Sequence, residues 1–232
     1  MIDVRRSATR GYADHGWLKS FHTFSFAGYR DPRYDGFGAL RVINEDRVAP
    51  GAGFGTHGHR DMEILSYVVG GALEHKDSMG SGSVLRPGDV QVMSAGTGVT
   101  HSEFNGSKTA PVHFLQIWII PQKAGTQPAY RERHFDVQSR TAKLRAIASH
   151  DGRDESLLIC QDAVVYAALL DRGQDVSLPV AVGRRAYVQV VSGSVELNGT
   201  PLGAGDGAAI SGESTVHLRR PVASELLVFD LP

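Results

Sequence analysis

Two short stretches of this chain concentrate the residue types that bind metals. In GTHGHRDMEI (residues 55–64), His57 and His59 stand one residue apart, and Asp61 and Glu63 continue the spacing. In AGTGVTHSEFN (95–105), His101 and Glu103 repeat it. On an extended strand, side chains at i and i+2 share a face and lie roughly 7 Å apart, so each pair can address one ion. Three neutral imidazoles and a carboxylate suit Fe(II), Mn(II), Ni(II), Cu(II) or Zn(II). In an octahedral ion they leave two positions for a substrate or dioxygen. If residues 56–64 form one strand, His57, His59, Asp61 and Glu63 make a single row. The plain alternative is that these are ordinary rim histidines, since the chain has ten. What favours a site is the same spacing recurring in two glycine-flanked segments. His15, His113, His134 and His150 lack a partner at that spacing, and His75 reads as a surface or packing residue at a strand end. His22, among the aromatics of FHTFSFAGY (21–29), is a candidate for the surroundings of the site or its pocket.

The elements that must position these residues read as strands. Twenty-seven glycines punctuate short β-branched and aromatic runs in 232 residues. ALRVIN (39–44), EILSYVVGG (63–71), DVQVMSAG (89–96), HFLQIWII (113–120), YVQVVSGSVELNG (187–199) and ELLVFDL (225–231) are examples. Such runs with turn signals between them point to antiparallel sandwiches or barrels. Helical periodicity is scarce; the one weak candidate follows ASHDGRDES. A degenerate internal repeat divides the chain. SYVVGGALEH (66–75) parallels VQVVSGSVEL (188–197), and RPGDVQVMSAG (86–96) parallels GAGDGAAISG (203–212). The polar segment PQKAGTQPAYRERHFD (121–136) reads as the linker. The expected domains are 1–135, carrying the candidate ligands, and 136–232.

Composition excludes several classes. Twenty-four Lys and Arg against 25 Asp and Glu leave a formal net charge of -1, so there is no electrostatic case for nucleic acid or an anionic membrane. One cysteine, Cys160, rules out a disulfide framework or a cysteine-based zinc site within the chain. No apolar run is long enough to cross a bilayer as a helix. The opening residues have no secretory h-region. A cytoplasmic protein is expected.

The motifs resemble those of the cupins. GAGFGTHGHRDMEILSYVVGG matches the first cupin motif through Gly51, His57, His59, Glu63 and Gly70. GTGVTHSEFN partly matches the second through Gly98, His101 and Asn105, but Gly96 stands where proline is usual. The AGTGVTHSE form is similar to the pirin branch, as are HTFSFAGYRDPRYDGFGALRVINED (22–46), HKDSMGSGSVLRPGDVQVMSAGTG (75–98) and LQIWI (115–119). This resemblance spans roughly residues 10–135 and weakens beyond. It implies an all-β bicupin of two antiparallel, jelly-roll-like β-barrel domains with one divalent metal in the first. The implied ligands are His57, His59, His101 and Glu103, with Glu63 as a neighbouring group or the alternative fourth ligand. Fe(II) is favoured over Mn, Ni, Cu or Zn. In the second half, Pro179 and Ala181 stand opposite His57 and His59, and Leu218 opposite His101, which implies a structural role there.

The resemblance also implies a reaction. Some pirin-like proteins open the central ring of quercetin with dioxygen and release carbon monoxide. Glu103 would then act as general base as well as ligand. Phe24, Phe26 and Phe37 are candidates for a slot that grips a flat polyphenol, or for core. Two other classes stay open: a redox-sensitive metal protein that regulates a protein partner, and a cupin enzyme acting on another enediol or catechol. A monomer is expected, because a bicupin already pairs two barrels in one chain.

Overall fold

Antiparallel strands dominate a computed structural model of the chain, which describes residues 1–219 and 223–232. Two compact units divide it. One comprises Gly11–His134 with Leu157–Gln161, and the other Met1–Arg10, Phe135–Ser156 and Asp162–Pro232. Relative to a division at residue 135, the first ten residues change sides, because Ile2–Arg5 pairs with Gly207–Ser211.

The first unit is built from two sheets. The larger runs in the spatial order Ala129–His134, Asp89–Ser94, Glu63–Gly70, Val112–Ile119, Leu40–Val48, Leu18–His22, Gly11–Asp14. The smaller runs Gly53–His59, Val99–Asn105, Leu73–Asp77, Gly82–Leu85. Every pairing between them is antiparallel. The sheets do not close into barrels; the arrangement is jelly-roll-like. Val68, Leu73, Leu85, Val112 and Phe114 are among the apolar residues of both sheets that bury each other.

Register across the larger sheet builds something that no single strand shows. His22 lies opposite Asn44, Asn44 opposite Gln116, Gln116 opposite Ser66, and Ser66 opposite Gln91. Five strands thus contribute a polar row across the sheet, and each of the five side chains is buried.

The second unit repeats the plan. One sheet runs Asp175–Pro179, Thr215–Arg219, Ser194–Leu197, Thr200–Gly203. The other includes Ile2–Arg5, Gly207–Ser211, Arg185–Ser192, Ser224–Leu231, Val164–Leu170 and Arg145–Ser149 in that order. Its core is aliphatic, with Val176, Val188, Val195, Leu197, Val216 and Leu218 among its members. The internal repeat has a structural counterpart. Gly71 and Gly193 sit at equivalent turns with φ of +81° and +74°, and a Cβ at either would overlap backbone of a neighbouring strand.

Three expectations are corrected. The segment 121–136 is not all linker, because Ala129–His134 pairs with Asp89–Ser94. The weak helical candidate after ASHDGRDES is extended, with strands Leu157–Leu158 and Val164–Leu170, and the α-helix in this region is the single turn Val137–Arg140. Residues 56–64 are not one strand. The strand ends at His59, Asp61 turns the chain at φ +48°, and Glu63 opens a strand of the other sheet.

Candidate metal centre

The smaller sheet brings the histidines together. His57 lies directly opposite His101 on the adjacent strand. The register then slips between His101 and Glu103, a bulge that adds a residue to the Gly53–His59 strand. Bulges re-aim side chains in this way. Gly53 permits the close approach, because a Cβ there would overlap the Glu103 carbonyl and the Phe104 backbone.

Nε2 of His59 and Nε2 of His57 lie 3.0 and 3.1 Å from Nε2 of His101. Nitrogens about 2.0–2.1 Å from one ion stand about 3 Å apart, so these three are close enough to share one. Protonation fits as well. Burial first, and the neighbouring histidines second, lower His59 to about 4 and His101 to about 2, so their lone pairs are available at neutral pH. Nδ1 of His57 is 2.8 Å from the Gly55 carbonyl and must donate to it, which leaves Nε2 as the acceptor end.

His101 is aimed through a longer chain. Asp77 accepts backbone N–H bonds from Met79 and Ser81 on one carboxylate oxygen, and its other oxygen is 3.2 Å from Nε2 of His75. Nε2 of His75 is then the donor and Nδ1 the acceptor. That Nδ1 lies 3.4 Å from Nδ1 of His101, which donates and leaves Nε2 of His101 free to face the other two imidazoles. His75 is thus fully buried and stacked on Tyr130 at 4.8 Å, not a surface residue.

Glu103 is 2% exposed. Its carboxylate accepts from Ser66 Oγ at 3.0 Å, Gln91 Nε2 at 3.4 Å and Gln116 Nε2 at 2.6 Å, all members of the polar row. Burial raises it to about 7, against the pull of the Ser66 bond, and the charge of Asp46 adds to the rise. The carboxylate forms a group with His75 and His101 within 4.8 Å, while His57, His59 and His101 form the other such group. Among the described residues, both groups of metal-capable side chains lie in this unit. Glu63 belongs to neither. It accepts from Ser94 Oγ at 2.7 Å and from the Cys160 backbone N–H, and it is 1% exposed.

A cavity of about 680 Å³ adjoins the histidines, with Tyr12, Trp17, Phe26, Tyr29, Phe54 and Trp118 among its walls. Trp118 stands edge-on to His59 at 5.0 Å and to Phe26 at 5.4 Å. Of the residues expected near the site, His22 and Phe26 line this cavity. Phe24 is buried at 3% exposure and Phe37 bridges to Leu40, both outside the lining. The spacing of ligands did not reveal Ser66, Gln91, Gln116, Asn44, Asp46, His75 or Asp77. For the first four the available signal is a lone polar residue inside an apolar strand: S in EILSYVV, Q in DVQVM, Q in LQIWI, N in LRVIN.

The Pirin family profile matches residues 3–119, and the profile described as the quercetinase C-terminal cupin domain matches residues 146–231. The chain belongs to the pirin family. A relative named quercetin 2,3-dioxygenase, from Escherichia coli K12, is 47% identical over 233 residues, covering 100% of this chain and 99% of its own. A pirin-like protein of Caulobacter vibrioides is 41% identical over 231 residues, covering 99% of each. The crystal structure of the bacterial pirin YhhW from E. coli in complex with nickel(II) superposes with a TM-score of 0.95 at 46% identity, covering 100% of this chain and 99% of that one. As a pirin, the chain has the two-cupin organisation and a centre fit for a divalent metal. Its Gly96 is also explained: φ is +45°, which proline cannot reach, and a Cβ there would overlap the Thr126 carbonyl.

Proposed function

We propose that this protein is a mononuclear metal-dependent dioxygenase that opens the central ring of flavonols such as quercetin with dioxygen and releases carbon monoxide. The observation that carries the reading is the convergence of three imidazoles beside a cavity of about 680 Å³ walled by aromatic rings. That volume falls in the range of small-molecule sites. His57, His59 and His101 would hold the ion, with Glu103 as the fourth ligand and Fe(II) as the metal. Nickel(II) in a relative supports a divalent ion without choosing which. When bound, the ion supplies a Lewis acid that lowers the pKa of the flavonol hydroxyl. Glu103 takes that proton, its carboxylate steadied by Ser66, Gln91 and Gln116. Phe26 and Trp118 offer faces for a flat ring system. Loss of the proton leaves the flavonol electron-rich, and dioxygen attacks it in the cavity. The full-length relatives named quercetin 2,3-dioxygenase support this choice of substrate and reaction. The protein would act as a cytoplasmic monomer on a small polyphenol. Among the described residues no helix is long and apolar enough to cross a membrane.

The test is flavonol turnover. Metal-free protein is loaded separately with Fe(II), Mn(II), Ni(II), Cu(II) and Zn(II) and given quercetin in air. Loss of flavonol absorbance is followed together with carbon monoxide release. Carbon monoxide that depends on the metal and disappears in His57→Ala and Glu103→Ala is the expected result. Absorbance loss without carbon monoxide, or turnover surviving both substitutions, means chelation or adventitious oxidation and removes the assignment.

A further inference from the structure

The bulge beside His101 also shapes the cavity mouth. His57 stands opposite His101 and Phe54 opposite Glu103, so the Gly53–His59 strand spends one residue more than its partner between the two pairs. The extra residue turns Phe54 to the face of His57, and both line the cavity. Phe54 meets Trp17 edge-to-face at 5.3 Å. Trp17 sits on the turn that joins Gly11–Asp14 to Leu18–His22, and that turn is pinned. The His15 N–H donates to the Leu18 carbonyl at 2.9 Å, and the Ala49 N–H donates to the Trp17 carbonyl at 2.8 Å. Tyr12, on the same hairpin, packs on Phe21 at 4.9 Å, and its hydroxyl donates to Asp14 at 3.0 Å. Tyr12 and Trp17 are thus held in place, yet they are 53% and 36% exposed. With His15 they form the solvent end of the cavity, while Glu103 and Gln116 lie at its buried end.

Aromatic rings fixed in place and left in water at the mouth of a cavity mark a binding surface. A flavonol by itself does not fill it. It chelates through the middle of one long edge, so little more than one ring reaches to either side of the ion. Phe54 is three residues from His57, about 10 Å along a strand, and Trp17 packs against it. The rings beside the ion are Trp118, edge-on to His59, and Phe26, edge-on to Trp118. We infer that Trp17, Tyr12 and Phe54 form a subsite for a sugar carried by the substrate, so that the chain takes flavonol glycosides whose 3-hydroxyl is free. A pyranose has apolar C–H faces and a rim of hydroxyls. Its faces suit the Trp17 and Tyr12 rings, and its hydroxyls suit the exposed Asp14 carboxylate and His15 imidazole on the same turn. A sugar on the 3-hydroxyl would block chelation, so it must sit at an end of the flavonol. The inference rests on the flavonol reading.

The experiment compares quercetin with its 7-O- and 4′-O-glucosides and with the ethyl ethers of the same two hydroxyls. Dissociation constants are measured by titration calorimetry on the metal-loaded full chain without oxygen. In wild type at least one glucoside is expected to bind about three- to tenfold tighter than quercetin, by analogy with the worth of an aromatic pair, and tighter than the matching ether. Trp17→Ala is expected to bring the glucoside-to-quercetin ratio towards one. Trp17→Phe, which keeps an aromatic face and guards against loss of fold in the alanine variant, is expected to retain most of it. If neither glucoside binds tighter than quercetin while quercetin still yields carbon monoxide, the subsite is overturned and the flavonol reading stands. An ethyl ether that gains as much as its glucoside overturns the sugar, because the mouth is then merely apolar. A gain that survives Trp17→Ala in folded protein overturns it as well. If no probe binds and no carbon monoxide is formed, the flavonol reading and the subsite fall together.

Discussion

At the metal centre, His101 is aimed by a neighbour that ligand spacing does not reveal. His75 receives its tautomer from Asp77 and passes it to His101, so its contribution is to orientation and basicity rather than to direct ligation. Replacing it with phenylalanine keeps the volume and the stacking on Tyr130 but removes the acceptor. Metal affinity of His75→Phe is expected to fall by about 10–100-fold, the usual effect of losing such a partner, as read by competition with a chelator. Unchanged affinity would leave His75 as packing only. Asp46 sets a pH dependence. Burial raises its carboxyl from 3.8 to about 7, the Ser20 bond pulls it partly back, and the charge of Glu45 adds to the rise. A raised acid favours the folded state only while protonated. Its contribution is therefore complete below about pH 4 and is lost as pH rises through 7. Metal-free protein should lose stability across that interval, and the decline should be shallower in Asp46→Asn, as measured by denaturant melts at stepped pH. Equal slopes would count against the assignment.

Among the elements, the strand Gly53–His59 carries two of the three histidines and leans against the strand carrying the third. Gly53 lets it do so. Alanine there would force the backbone off Glu103 and Phe104, at a cost of about 1–3 kcal/mol by analogy with overpacked cores. Because the displaced strand carries His57 and His59, metal affinity should fall along with stability. Gly58 provides the contrast. It sits between the two ligands, yet a Cβ there would meet the Thr100 methyl at an ordinary 3.8 Å. Gly58→Ala should stay within about 0.5 kcal/mol of wild type. Denaturant melts and metal titrations on both variants would check the pair, and equal effects would mean that close approach is not what Gly53 provides.

For the whole molecule, the first ten residues belong to the C-terminal unit. Ile2 and Val4 pack against its core, Ile2–Arg5 covers the edge of Gly207–Ser211, and Asp206 binds Arg6 at 2.8 Å and the Ser7 backbone N–H at 2.7 Å. Deleting Met1–Arg10 leaves a bare strand edge and uncovers the apolar surface on which Ile2 and Val4 pack. The expected loss is about 2–4 kcal/mol, a fall in Tm of roughly 5–10 °C, with a greater tendency to aggregate. Scanning calorimetry and light scattering read both, and an unchanged Tm would show that the pairing contributes little.

Much of this was legible in the chain because it is local. A side chain two residues along a strand returns to the same face, so His57 with His59 and His101 with Glu103 could be paired from spacing alone. β-Branched and aromatic runs with glycine punctuation marked the strands, and the repeated VVGG and VVSG segments marked two copies of one plan. Residues 56–64 show where locality ends. Asp61 turns the chain, and Glu63, expected in the same row, opens a strand of the other sheet, where it bonds Ser94. Only the tertiary structure could align His22, Asn44, Gln116, Ser66 and Gln91, because cross-strand register joins residues tens of positions apart through backbone bonds that carry no side-chain signature. The same holds for His75. A histidine at a strand end is unremarkable in sequence, and its role exists only once pairing of Leu73–Asp77 with Val99–Asn105 sets it beside His101.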